Sequence, residues 1–82
     1  MTLAQLEPQQ LAIVEKVAAN ASQKDLARRL EAMGIAPNKR VKVLRKAWFG
    51  GPLHIRIGST TEVAIRKQEA EMVLVKMVNE SS

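Results

Sequence analysis

Residues 40–58, RVKVLRKAWFGGPLHIRIG, give the clearest indication of the fold in this sequence. Two runs in which apolar and polar residues alternate, RVKVLRK and LHIRI, flank the segment AWFGGP. Strict alternation is the pattern of a strand with one buried face and one solvent-exposed face. Two glycines and a proline between such runs are typical of the turn in a hairpin. The stretch therefore predicts a β-hairpin whose tip carries Trp48 and Phe49, the two aromatic residues of the chain.

Three further strands are predicted outside the hairpin, in the segments LAIVEKV, TEVAIR and MVLVKMV. All three are rich in β-branched residues, which favour strands. In the first of them Ala12 and Val14 share one face, and we expect Val17 to rejoin that face after a bulge. A single helical turn, KQEAEM, is expected before the last strand, and the polar tail NESS follows it.

One helix is predicted between the first two strands, in QKDLARRLEAMG. Its apolar residues fall on one stripe at the spacing of a helix, and they are Leu26, Leu30 and Met33. Ser22 with Asp25 three residues later is close to a capping box at the start. Gly34 stands where a left-handed cap ends a helix, with Ile35 folding back against the last turn.

These elements predict a mainly β fold, in which residues 1–82 form one domain of about five strands in a small curled antiparallel sheet. A sheet this short protects its edges best by closing into a barrel. Tight turns between neighbouring strands favour an SH3-like small β-barrel, with an OB-like barrel as the alternative.

Composition excludes several classes of protein. The chain has no cysteine, so disulfides, thiolate metal sites and cysteine nucleophiles are excluded. Its first residues, MTLAQLEPQQ, contain no basic segment followed by an apolar run, so we expect no secretion signal. No apolar stretch approaches the roughly 20 residues that cross a bilayer. We therefore expect a cytoplasmic protein.

Positive charge is concentrated in the middle of the chain. Residues 24–67 hold eleven lysines and arginines against three acidic residues, an excess of +8, whereas the whole chain carries +5. Such a field favours an anionic partner, which is a nucleic acid, an acidic protein surface or lipid headgroups. The same charge is also compatible with an ordinary solvated surface.

The sequence offers no set of residues for catalysis. His54 is the single histidine, and it alternates with apolar residues that face the core, so it points outward. Asp25 is explained by its place near a helix start, and Glu69 and Glu71 are too close in sequence to share a helix face. No spacing matches a metal site, and no glycine loop is followed by the lysine of a phosphate-binding motif. We expect no enzyme activity, no catalytic residue, no metal site and no cofactor.

The hairpin tip is the strongest candidate for recognition. Adjacent residues on a strand point to opposite faces, so at least one of Trp48 and Phe49 is expected to be exposed. An exposed aromatic beside basic residues can stack on a base or anchor a protein contact. Both aromatics lie in one loop, whereas a nucleic-acid platform spreads them across a sheet. A protein partner is therefore favoured over nucleic acid.

The stretch ARRLEAMGIAPNKRVKVLRKAWFGGPLHIRIGSTTEVAIRKQEAEMVLV and the opening TLAQLEPQQLAIV cover nearly the whole chain, and the order of their motifs resembles the ferrous iron transport protein A (FeoA) family. The family shows a helix ending Arg-Leu-x-x-x-Gly-(Ile/Leu), an x-Pro-Gly turn, a Val-x-Val strand, a Pro-Leu loop end, an Ala-Leu-Arg-like segment, Glu-Ala and a final Ile-x-Val strand. The matching residues here are Arg29, Leu30, Gly34, Ile35, Pro37, Val41, Val43, Pro52, Leu53, Ala64, Ile65, Arg66, Glu69, Ala70, Val73 and Val75. The family commonly has glycine where this chain has Gln9 and Asn38.

The resemblance implies an SH3-like cytosolic protein that acts on the FeoB permease, which carries a cytoplasmic GTP-binding domain. It implies contact with the membrane only through the permease, and it allows a homo-oligomer. We predict the partner-binding residues to be Arg28, Arg29, Trp48, Phe49, Pro52 and Arg56. A basic nucleic-acid-binding small β-barrel is the alternative function. A third interpretation has one of the arginines enter the GTPase site of the partner.

Overall fold

A computed structural model describes residues 1–78, and the tail predicted at 79–82 lies outside the described residues. The five strands are β1 (Leu11–Val17), β2 (Arg40–Lys46), β3 (Leu53–Ile57), β4 (Thr61–Ile65) and β5 (Val73–Met77). The two α-helices are α1 (Lys24–Ala32), between β1 and β2, and α2 (Lys67–Ala70), between β4 and β5. Three short 3-10 turns cover Leu3–Gln5, Ala21–Gln23 and Trp48–Gly50.

The strands form one antiparallel sheet in the order β4-β3-β2-β1-β5. The predicted mainly β fold, its helix after β1 and its helical turn before β5 are all confirmed. The hairpin of β2 and β3 has the register Val41–Ile57 and Val43–Ile55, which puts apolar side chains opposite each other. In β1 the register shifts between Val14 and Lys16, at the bulge that the sequence predicts.

The core consists of the inward-facing residues of the sheet together with residues from the turns and helices around it. Its buried apolar members are Leu3, Leu6, Ala12, Val14, Leu30, Ile35, Val41, Val43, Leu53, Ile55, Ile57, Ile65, Ala70, Met72, Val73 and Val75. Strands β1, β2, β3 and β5 contribute alternate residues, as a pleated strand with one buried face requires, and β4 contributes Ile65.

The N-terminal segment covers the free edge of β5. Thr2 forms an isolated antiparallel bridge with Leu74, and the N–H of Val75 donates to the carbonyl of Met1 at 2.9 Å. Leu3 and Leu6 are fully buried. The segment before β1 therefore pairs with backbone groups that would otherwise form an open sheet edge.

Helix α1 ends as predicted but begins differently. Gly34 has φ 99°, and the N–H of the buried Ile35 donates to the carbonyl of Leu30 at 3.0 Å, which is the expected glycine cap. The predicted cap at Ser22 is wrong, because Asn20 caps the preceding 3-10 turn by accepting from the N–H of Ser22 at 3.0 Å. The 3-10 turn Ala21–Gln23 therefore leads into α1, and its cap, Asn20, lies two residues before the predicted cap at Ser22.

Glu69 is the one buried charged residue within residues 1–78, with 1 % of its surface exposed. Its Oε1 accepts from the N–H of Arg66 at 2.9 Å, which caps the start of α2. Its Oε2 has no hydrogen-bond partner and lies 3.8 Å from Nε of Arg29 on α1. A buried carboxylate needs such compensation, so Glu69 ties α2 to α1.

Gln9 and Asn38 both adopt the left-handed backbone conformation that favours glycine, with φ of 72° and 73°. The N–H of Asn38 donates to the carbonyl of Val14. The Gln9 side chain donates from Nε2 to the carbonyl of Leu44 at 3.1 Å. Hydrogen bonds to neighbouring strands therefore hold both turns in the glycine-like geometry without a glycine.

We expect Glu69→Ala to lower the free energy of unfolding by about 1–3 kcal/mol, because it removes the cap of α2 and the carboxylate beside Arg29. Glu69→Gln keeps an acceptor for the N–H of Arg66, so this variant should lose less free energy of unfolding than Glu69→Ala. The measurement is urea denaturation followed by circular dichroism. The exposed Glu71 provides the control, and Glu71→Ala should change stability by less than about 0.5 kcal/mol. Equal stabilities of the two alanine variants would contradict this role of Glu69.

Candidate functional site

The hairpin tip is a tight loop that runs from Ala47 to Pro52. The N–H of Ala47 donates to the carbonyl of Pro52 at 3.0 Å, and the N–H of Gly51 donates to the carbonyl of Trp48 at 3.2 Å. Phe49 has φ 57° and ψ 40°, a left-handed conformation that is rare for a bulky residue. A Cβ added to Gly51 would lie 2.7 Å from Cβ of Ala47, so this position has room only for glycine. The loop geometry is thus fixed by its own backbone.

Both aromatic side chains of the tip are exposed to solvent. Trp48 retains 87 % of its accessible surface and Phe49 retains all of it. An extended strand through the tip predicts at least one exposed ring, because neighbouring residues on a strand point to opposite faces. The backbone instead turns as a 3-10 helix with a left-handed residue, and this geometry directs both rings away from the core. Pro52, at the end of the loop, is also exposed.

A shallow cavity of about 220 Å³ lies at the base of the tip. Its lining residues are Ala4, Lys46, Ala47, Gly50, Gly51, Leu53 and Lys67. Nζ of Lys46 donates to the carbonyl of Ala4 at 3.0 Å, and Lys67 approaches Gly50 from α2. Lys67 is not recognisable from the sequence as a neighbour of the tip, because it is about fifteen residues away along the chain and is brought there by the pairing of Leu53 with Ile65.

Arg56 lies on the outer face of the sheet, where it stands opposite Lys42 on β2 and Glu62 on β4. Its Nη2 is 2.9 Å from Oε2 of Glu62, which makes an ion pair at the surface. His54 is on the same face, as predicted, with its Nδ1 3.3 Å from Nη2 of Arg45. This face therefore carries a row of polar and charged side chains.

Arg28 and Arg29 lie on α1, in the connection that leaves β1 and enters β2 at the strand ends opposite the tip. Arg29 is beside Glu69, whereas Arg28 is exposed and takes part in neither of the ion pairs found within residues 1–78. The six predicted site residues thus fall on three places: the tip, the outer sheet face and α1. Only Trp48, Phe49 and Pro52 are brought together.

Residues 1–78 contain no group of three or more His, Asp or Glu side chains positioned to hold a metal ion. Over the same residues, no helix has the length and the apolar character needed to span a bilayer.

The single antiparallel sheet, with a helix after its first strand, defines a small SH3-like β domain. The model of the FeoA domain matches residues 1–77. The chain therefore belongs to the FeoA domain family, and the family resemblance found in the sequence is confirmed. No curated protein matches the chain.

Solved structures share this fold. FeoA of Stenotrophomonas maltophilia, crystallised with zinc, is 34 % identical with a TM-score of 0.80, over 93 % of this chain and 89 % of that one. That protein is described as an SH3 domain protein and a candidate activating factor of bacterial ferrous iron transport. FeoA of Chlorobium tepidum is 29 % identical with a TM-score of 0.81, over 100 % and 74 %. A manganese-dependent transcriptional repressor has a TM-score of 0.84 at 19 % identity, over 95 % and 36 %, and so shares the fold alone.

We expect Phe49→Gly to raise the free energy of unfolding by up to about 1 kcal/mol, because it removes a left-handed bulky residue that buries no surface. Phe49→Ala keeps the same φ and should change stability by less than about 0.5 kcal/mol. Chemical denaturation followed by circular dichroism measures both. A glycine variant no more stable than the alanine variant would contradict strain at position 49, and an alanine variant clearly less stable than the parent would show that the Phe49 side chain stabilises the fold.

Proposed function

We propose that this chain is a small cytoplasmic accessory protein of ferrous iron uptake, which docks on a FeoB-type permease and its GTP-binding domain. It regulates or supports the permease by contact and not by catalysis. Membership of the FeoA domain family supports this function. The description of the Stenotrophomonas maltophilia relative as a candidate activating factor of ferrous iron transport points the same way.

The observation that carries a contact function is the exposure of Trp48 and Phe49 on a loop of fixed geometry. Aromatic residues are enriched among those that contribute most to binding at interfaces. A side chain held at a strained backbone position while it buries nothing in its own fold gives no stability in return. We infer that the strain at Phe49 serves a contact with another molecule.

The three predicted arginines are not equally available to an acidic partner surface. Arg28 is exposed and takes part in no ion pair among residues 1–78, so it can bind a carboxylate without breaking either of the pairs found there. Arg56 can exchange its surface pair with Glu62 at little cost, because such pairs contribute about 0–1 kcal/mol. Moving Arg29 would leave the buried carboxylate of Glu69 without its nearest cation. Arg28 and Arg56 are thus the better contact residues.

Nucleic acid binding is the second function to test. Lys42 and Arg56 stand side by side on the outer sheet face, and like charges in such a pair favour an anionic ligand. The aromatic residues, however, lie at the tip and not on this face, so base stacking has no platform there. The geometry therefore favours a protein partner.

We expect the chain to bind the soluble GTP-binding portion of the permease, measured by calorimetric titration in the GDP-bound and GTP-analogue-bound states. Arg28→Glu should weaken binding at least about fivefold, because charge reversal places like charges across the interface. Lys76→Glu, on β5, is the control with the same change of charge and should bind nearly as the parent does. If the chain binds the GTP-binding portion in neither the GDP-bound nor the GTP-analogue-bound state, the proposed partner is wrong.

A parallel titration with a double-stranded oligonucleotide separates the two functions. Binding to nucleic acid should weaken steeply with added salt, because phosphate contacts release counterions. Tight, salt-sensitive oligonucleotide binding without binding to the permease would favour the second function.

A further inference from the structure

The tip extends from one end of the sheet, and four cations lie at that same end. Arg45 and Lys46 end β2, which pairs with the start of β3. Arg66 and Lys67 follow β4, whose last residue, Ile65, stands opposite the first residue of β3. The register therefore places both cationic pairs next to the loop that carries Trp48 and Phe49.

Little negative charge balances these four cations. None of them takes part in an ion pair within residues 1–78. The carboxylate of Glu69, two residues after Lys67, is buried and already lies beside Arg29. The turn before β1 contributes the exposed Glu7 to this end. This end of the molecule thus carries two protruding aromatic rings, Trp48 and Phe49, surrounded by side chains with a net positive charge.

We propose that the tip is a membrane anchor, in which Trp48 and Phe49 enter the interface of a bilayer rich in anionic phospholipid and the four cations contact its phosphates. Trp is enriched at the level of the headgroups, where its ring meets apolar chains and its N–H meets water. Basic residues beside an inserted apolar pair add attraction to anionic lipid. A fluid bilayer surface accepts two adjacent rings that point outward, without a preformed pocket.

The anchor goes beyond docking on the permease, and it departs from the expectation that the chain meets the membrane only through the permease. It names lipid as the molecule that the two exposed rings contact, and it leaves Arg28 and Arg56 for the contact with the permease. Vesicles without permease test the anchor alone, whereas the soluble GTP-binding portion tests the docking without lipid. The vesicle experiment can therefore fail while the docking experiment succeeds, and the reverse, so the two proposals are tested independently.

Trp48 is the only tryptophan of the chain, so its emission reports on the tip without labelling. The probe is vesicles of phosphatidylglycerol and phosphatidylcholine in equal parts, compared with vesicles of phosphatidylcholine alone. We expect a blue shift of emission, protection from acrylamide and quenching by brominated acyl chains on the anionic vesicles. The shift should be much smaller on phosphatidylcholine and should decrease with added salt.

Two sets of variants keep Trp48 as the reporter. Phe49→Ala should weaken vesicle binding about tenfold, because an apolar ring no longer leaves water. Arg66→Gln with Lys67→Gln should weaken it about thirtyfold, at roughly fivefold for each cation. The control is the double variant Lys24→Gln with Lys39→Gln, which removes the same amount of charge from the connection between β1 and β2. It should have little effect on vesicle binding. Circular dichroism checks that every variant is folded.

Three results would overturn the anchor. The first is emission that does not change on anionic vesicles. The second is equal vesicle binding by the parent and Phe49→Ala, which would leave only a peripheral charge contact. The third is a Trp48 shift caused by an oligonucleotide, by the permease portion or by raised protein concentration, where vesicles cause none. That third result would assign the tip to nucleic acid, to protein or to a second copy of the chain.

Discussion

The pairing of β2 with β3 fixes the position of nearly everything else in this domain. Val41 stands opposite Ile57 and Val43 opposite Ile55, and all four side chains are buried. A slip of one residue in this register would move every apolar side chain of one strand to the solvent face. The same register orients the outer face and fixes where the two strands meet the tip loop.

The tip shows how a stable scaffold holds an unfavourable local conformation. Hydrogen bonds across the loop and the lack of space at Gly51 keep Phe49 left-handed, although a phenylalanine gains nothing from that conformation. Strain that persists in this way is a feature of sites that contact other molecules. The exposed rings and the four cations at this end supply apolar and electrostatic attraction in one place, which is the combination that an anionic lipid surface binds.

The secondary structure was predictable from local patterns, because alternation, β-branched residues and glycine positions act over a few residues. The strands, the bulge in β1, the glycine cap at Gly34 and the turn before β5 all follow from such patterns. The cap before α1 was not predictable from Ser22 and Asp25, because Asn20 accepts from both the N–H and the hydroxyl of Ser22 and starts a helical turn earlier. The burial of Glu69 also escaped local reasoning, since Arg29 reaches it from a different helix.

Local sequence patterns are enough to specify a small β domain with an aromatic hairpin tip, because strand periodicity and turn residues are properties of neighbouring positions. Tertiary structure alone decided that both rings of the tip are exposed and that Lys67 joins Lys46 beneath them. It also separated Arg28 from the tip, since α1 belongs to the connection at the strand ends opposite the tip. These relations are set by strand register and by the path of the backbone between elements, and neither is encoded within a short segment.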